Sequence, residues 1–312
     1  MGEEPDMRSR WNRNFWSSLI LAIGLGSFSF GCASASKAPV QGPEPRLGSE
    51  SQTQPMGPPE SYGPPIPDSA QVTGVANPDA VVLMLGPGMA PGFSCVGILK
   101  AVHEMKVPLR AIYANEVCAL VAALYLTQPT LNRMDWALMQ FKEDRLSKDA
   151  GGLSLGSTES KLERKLAEVF GNRTLEELKI PLRIPLLRPE TGEVVLVEKG
   201  KLSEAVRAAL STNRGLKPGT IEGVRFKSVE KPKYAYPIAD AWRREGYPLV
   251  VAETSGGPAP RPGDGVPVTI VRVPLNGIAA ADFKKRNQAT FRGKNAFQNA
   301  KSDILGKIGR TE

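Results

Sequence analysis

The chain has 312 residues, 41% hydrophobic and 23% charged, with a formal net charge of +8. The hydrophobic share is that of an ordinary globular core, and once the first seventy or so residues are set aside the remainder suits one α/β domain. One histidine and three cysteines, with no Cys/His cluster at metal-ligand spacing, exclude a structural zinc site and predict no metal.

The N-terminus reads as an export signal. Arg8, Arg10 and Arg13 precede an apolar run from Leu19 to Phe30, and small residues follow at Gly31, Cys32, Ala33 and Ser34. The run is shorter than the ~20 residues needed to span a bilayer, and the layout is that of a secretory signal. Glu3, Glu4 and Asp6 suit such a segment poorly, and translation from Met7 would remove them. Gly31-Cys32 resembles a lipobox, in which the thiol takes a diacylglycerol and becomes the mature N-terminus, although Ser29 stands where a leucine is usual. Ala33 after the cysteine resembles the outer-membrane sorting pattern of Gram-negative lipoproteins. The expectation is therefore a signal over 1–32 with lipidation at Cys32. The protein is expected in the cell envelope, at the outer membrane facing the periplasm. Residues 33–75 are rich in Pro, Gly, Ser and Gln and read as a flexible tether. Residues 76–312 form the expected folded domain.

Within that domain Val81 to Leu85 reads as a buried strand, followed by a glycine cluster. Phe93 to Met105 has helical spacing, Leu109 to Tyr113 is a second strand, and Val117 to Leu126 is a buried helix ended by Pro129. Leu131 to Phe141 and Lys161 to Phe170 follow as helices. Strands are expected at Leu182 to Leu187, Glu193 to Glu198, Leu249 to Ala252 and Val268 to Val273, with helices at Leu202 to Leu210 and Pro237 to Glu245. A long terminal helix from Asp282 carries Phe283, Phe297, Ile304 and Ile308 roughly on one stripe. Alternating strands and helices predict an α/β fold of three layers, a mostly parallel sheet with helices on both faces. From Lys284 to Arg310 eight basic residues face only Asp282 and Asp303, a stretch suited to anionic headgroups or to a solvated helix face. Export argues against nucleic acid.

The glycine cluster Leu85 to Gly92 reads L-G-P-G-M-A-P-G. Glycines between a strand and a helix let backbone N–H groups converge on one point, where the helix dipole also favours an anion. A P-loop would need Gly-Lys-Ser/Thr, which Gly92-Phe93-Ser94 is not; a dinucleotide fingerprint is broken by Pro91 at its third glycine.

The string LGPGMAPGFSCVGILKAV resembles the opening of patatin-like phospholipases: a strand, a glycine-rich oxyanion loop, then a helix. Gly86, Gly88, Gly92 and Gly97 match, with Met89 inside the loop, while Pro91 replaces an Arg and Cys95 a His. The resemblance continues through AIYANEVCALVAALY, through KGKLSEAVRAAL, and to Tyr236-Pro237-Ile238-Ala239, covering roughly residues 79–300 in order. It implies a patatin-like fold and an acyl-ester hydrolase ancestry.

The resemblance also marks what is missing. Where the family carries G-x-S-x-G, this chain reads Ala114-Asn115-Glu116-Val117-Cys118, so Glu116 takes the serine's place and both glycines are gone. β-branched Val117 argues further against a tight elbow. The family's Asp position falls near Lys231-Pro232, where the only acid is Glu230. A dyad works as a unit, so no catalytic residues are expected. Glu116 is expected either to cap the vacant anion nest or to begin a helix with Asn115 as N-cap. His103, the only histidine, is placed on the outer face of its helix.

Three fates are open to the remaining cysteines: a Cys95–Cys118 disulfide worth ~2–4 kcal/mol, a reactive Cys118 at a helix start, or two buried thiols. The expected function is a non-catalytic envelope lipoprotein, membrane-anchored and binding a lipid, an acyl group or a protein partner, without a cofactor. The alternatives are a rewired hydrolase using Ser94 or Cys118 with Glu230, a structural envelope protein held by its basic C-terminal helix, and a nucleotide site lacking its third glycine.

Overall fold

A computed structural model describes residues 76, 78–141, 155–212, 216–229, 235–255, 257, 260–262 and 265–310. Along them run β1 (Val81–Leu85), α1 (Ser94–Glu104), β2 (Leu109–Ala114), α2 (Glu116–Thr127), α3 (Leu131–Met139), α4 (Leu155–Phe170), β3 (Leu182–Leu187) and β4 (Val194–Val197). Then come α5 (Leu202–Ala209), β5 (Gly219–Ile221), β6 (Val224–Ser228), α6 (Ile238–Glu245), β7 (Leu249–Glu253), β8 (Val268–Arg272), α7 (Arg286–Asn299) and α8 (Lys301–Lys307). Short 3-10 turns, Pro91–Phe93 and Phe283–Lys285, lead into α1 and α7.

The strands pair in the order β5-β6-β3-β2-β1-β7-β8, with β4 also on β3. The run β3-β2-β1-β7-β8 is parallel, and β4, β6 and β5 extend it antiparallel. Alternate residues of a strand point to opposite faces, and β1 divides its five apolar residues that way. Val81, Leu83 and Leu85 join a large core with α1, α2 and α7, whereas Val82 and Met84 join Ile238 and Ala241 of α6. Helices therefore cover both faces, and the three-layer α/β architecture expected from the alternating pattern is the one that forms.

Local chemistry explains the element ends. Thr130 Oγ1 accepts from the N–H of Arg133 at 3.3 Å and caps α3. Gly246, at φ 70°, closes α6 in the left-handed conformation. α2 is buried from Glu116 through Leu124 and is apolar on all sides, as a helix enclosed by its neighbours must be.

Two close contacts fix the helices on each face. α1 and α7 meet through glycines: a Cβ on Gly97 would lie 1.9 Å from the Thr290 carbonyl oxygen, and one on Gly293 2.1 Å from that of Ser94. On the other face Glu245, in the last turn of α6, takes an ion pair from Arg183 of β3 at 2.6 Å and a hydrogen bond from the Tyr113 hydroxyl at 3.4 Å. Arg183 and Arg244 also both reach Glu198. Burial, and then the Glu245 carboxylate, hold the Tyr113 phenol above its ordinary value of 10.0. A buried ion pair is tolerated when each charge is matched and hydrogen-bonded, which is the case for Glu245.

Two expectations need amendment. The long terminal helix is a 3-10 turn followed by two helices that break at Ala300. Its apolar stripe still packs, with Phe283, Phe297, Ile304 and Ile308 all buried. The hairpin β5-β6 was not expected from the sequence. Its turn is Glu222-Gly223, with φ of 48° and 84°, the backbone of a tight type I′ connection. Its strands are too short to show an alternating pattern. The signal region 1–32, Cys32 and all but the last residues before the fold lie outside the described residues.

Candidate functional site

Three loops leave the carboxyl ends of neighbouring parallel strands and meet. They follow β1, β2 and β7, and β1 lies between the other two, so the chain turns to opposite sides of it. In open α/β sheets this reversal is where a crevice for ligands forms. The loop after β1 is Gly86 to Gly92, the junction after β2 is Asn115-Glu116, and β7 ends at Glu253 and leads into Thr254-Ser255.

The first loop is held from both sides. Gly86 N–H donates to the Ala252 carbonyl at 3.2 Å, and Thr254 Oγ1 donates to the Pro87 carbonyl at 3.1 Å. Gly92 lets the loop press onto α2, since a Cβ there would lie 3.0 Å from Val117 Cβ. Gly86 makes room for Tyr236, whose hydroxyl oxygen would lie 1.6 Å from a Cβ at that position. The Tyr236 hydroxyl donates to the Ala252 carbonyl at 3.3 Å, and burial, followed by the nearby Glu253 carboxylate, raises its pKa.

Glu116 sits at the centre of this arrangement. Its φ is 48°, one of three non-glycine residues with a left-handed backbone among those described. The sharp strand-to-helix elbow is thus present, which corrects the expectation that Val117 and the loss of both glycines would remove it. Its side chain reaches the glycine loop: Gly88 N–H donates to Glu116 Oε2 at 2.8 Å, and the residue is only 6% exposed. The carboxylate therefore accepts one backbone N–H of the glycine loop. Asn115 holds the N-cap position but makes no side-chain cap. Instead its Nδ2 donates to the Ala235 carbonyl at 3.0 Å, fastening the elbow to the segment that carries Tyr236.

The two alternative nucleophiles are not available. Cys118 is bonded to Cys95, with 5.6 Å between the Cα atoms, so the first turns of α1 and α2 are joined beneath the loop. This corrects the reading of Cys118 as a free thiolate. Ser94 is fully buried against α7, its hydroxyl without a partner among the described residues, which corrects its reading as a displaced nucleophile. Glu230, Lys231 and Pro232 lie outside the described residues. His103 is exposed on α1. Among the described residues no group of three or more His, Cys, Asp or Glu side chains is placed to hold a metal, and no helix is long and apolar enough to cross a membrane.

Glu253, Thr254 and Ser255 were not singled out in the sequence. Glu253 is 4% exposed, and it accepts from both the backbone N–H, at 2.7 Å, and the hydroxyl of exposed Ser255. The signal available was position alone: these residues end a strand that neighbours β1, which only the strand order reveals.

No family model matches the chain. Over 158 aligned positions, 48% of its length, it is 26% identical to patatin-like phospholipase domain-containing protein 6 of Mus musculus, and the match covers 12% of that protein. Over 164 positions, 51% of its length, it is 26% identical to an uncharacterized NTE family protein of Mycobacterium tuberculosis, covering 44% of it. The chain thus spans less than half the length of these relatives. Among solved structures, VipD from Legionella pneumophila aligns with a TM-score of 0.39 and 11% identity, over 74% of this chain and 67% of that one. Full-length ExoU of Pseudomonas aeruginosa, solved with SpcU, aligns with a TM-score of 0.36 and 12% identity, over 72% and 54%.

Proposed function

We propose that this chain is a non-hydrolytic, patatin-like envelope lipoprotein that binds a lipid or acyl group beside a closed active-site remnant. One observation carries the reading: the hydrogen bond from Gly88 N–H to the Glu116 carboxylate, made by a residue in the strained backbone of an elbow. Acyl transfer at this position needs a hydroxyl or thiolate as nucleophile and an empty nest for the tetrahedral oxyanion. Here the side chain supplies neither. It is itself the anion in the nest, and the geometry that would serve catalysis serves internal bonding. The similarity to proteins named as phospholipases supports a lipid or acyl ligand. The Cys95–Cys118 bond supports an oxidising compartment. Membrane attachment would come from a diacylglycerol on Cys32, with residues 33–75 as the tether.

The test is turnover of short-chain acyl esters by the purified chain, together with labelling by a fluorophosphonate. No turnover and no label are expected. A second reading, an acyl-ester hydrolase with a rearranged site, rests on the exposed Ser255 hydroxyl bonded to the buried Glu253 carboxylate. Label on Ser255, with turnover lost in Ser255→Ala, would establish that reading and overturn ours. The anchor is tested separately: radiolabelled palmitate should enter the wild-type chain in cells and not Cys32→Ser.

A further inference from the structure

α7 is unlike the other helices among the described residues. Its sequence, RNQATFRGKNAFQN, contains no acidic residue, and its outer face carries Phe291 at 64% exposure. Helical spacing places Asn287, Gln288 and Asn295 around that ring. The inner face is accounted for, with Ala289, Gly293 and Phe297 buried against α1 and the core.

Charge gathers on the same segment. Lys284, one turn before α7, is exposed, and Lys284 and Arg286 meet no acidic partner among the described residues. Arg292 spends its donors on the carbonyls of Pro274 and Asn276, at 2.7 and 2.8 Å, which leaves its charge uncompensated. Across 282–310 eight Lys or Arg stand against two Asp. The segment is also tied to the candidate site: Phe283 stacks edge-on against Phe93 at 6.1 Å, and Thr290 Oγ1 donates to the Phe93 carbonyl at 3.1 Å. A solvated helix needs no exposed phenyl ring. A helix lying against headgroups uses one, set among amides and cations, with the ring entering the interface and the charges meeting phosphates.

We propose that the face bearing Lys284, Phe291 and Arg292 docks on an anionic phospholipid surface and holds the glycine-loop end of the sheet toward the bilayer. This deepens the lipid-binding reading above by naming the surface, and it rests on that reading for the domain being near a membrane.

The experiment is co-sedimentation of the full chain, carrying Cys32→Ser so that no acyl group is attached, with phosphatidylglycerol-containing or pure phosphatidylcholine vesicles. The apolar run before Cys32 is common to every variant and cancels in the comparison. Tighter binding to the anionic vesicles is expected, weakening as salt is raised. Lys284→Glu, which changes the local charge by two, should reduce that binding about tenfold or more, since each cation near an anionic surface contributes about fivefold. Phe291→Ser should reduce it about tenfold. Both positions are exposed, and unchanged thermal unfolding keeps the comparison valid. Equal binding to the two vesicle types, binding unaffected by either variant, or displacement of the chain from vesicles by duplex DNA would overturn the proposal. Fatty acid released in the same tubes would contradict the non-hydrolytic reading without touching the docking result, and absent docking would leave that reading in place.

Discussion

Residue 116 joins two opposing contributions. A left-handed backbone at a non-glycine residue costs about 1–3 kcal/mol. A hydrogen bond from a backbone N–H to a carboxylate contributes about 1.5–3 kcal/mol. The two are of equal size, so the Gly88 bond offsets the strain of the elbow that positions it. Glu116→Gly removes both at once. Its stability in urea is expected to stay within about 1 kcal/mol of wild type, while the nest becomes vacant. Inorganic phosphate should then raise the melting temperature of the variant, by the linkage of a ligand that binds only the folded state, and leave wild type unmoved. Equal shifts in both proteins, or in neither, would show that the carboxylate does not fill the nest. The identity of residue 116 and its glycine partners was legible from the sequence. Its backbone conformation was not, because β-branched Val117 and the missing glycines argue locally against an elbow that the sheet and α2 impose.

At the scale of elements, the contact between α1 and α7 depends on two residues without side chains. Gly97→Ala would place its Cβ 1.9 Å from the Thr290 carbonyl oxygen, part of a helix backbone that has no rotamer to yield. The helices must separate, and a loss of at least about 2 kcal/mol is expected in urea unfolding. Gly306→Ala is the matched control. That glycine lies in α8 with nothing within 4 Å of its added Cβ. The substitution should stabilise by about 0.5–1 kcal/mol, the ordinary helix preference of alanine. A similar response at both sites would mean that the glycine contact does not hold the helices together. The sequence marked Gly97 as part of a motif, and its physical partner stands 193 positions away at Thr290. The hairpin β5-β6 escaped for a related reason: three- and five-residue strands carry too little pattern, and the pairing of β6 with β3 and of β5 with β6 is what makes them strands.

For the molecule as a whole, the buried phenols set a limit on the alkaline side. Burial raises the pKa of both Tyr113 and Tyr236 above 10.0. The folded chain therefore holds protons that the unfolded chain releases above pH 10, and stability falls as pH rises past that value. Each such group adds up to about 1.4 kcal/mol per pH unit to the slope. Tyr236→Phe should be somewhat less stable near neutrality, having lost its bond to the Ala252 carbonyl. Between pH 10 and 11 its stability should decline less steeply than wild type. Parallel curves in urea titrations across that range would refute the assignment.

The sequence by itself determined what neighbouring residues decide together. It set the strand and helix periodicities, the glycine loop after β1, the apolar helix after β2 and the carboxylate at position 116, because propensity, burial pattern and turn chemistry act over a few residues. Tertiary structure decided which distant groups meet: Gly88 with Glu116, Cys95 with Cys118, Tyr236 with Gly86, and Glu253 beside them at the end of β7. Those meetings follow from strand order, which places β1 between β2 and β7, and strand order is settled by how the two faces of the sheet bury their apolar residues rather than by any local segment.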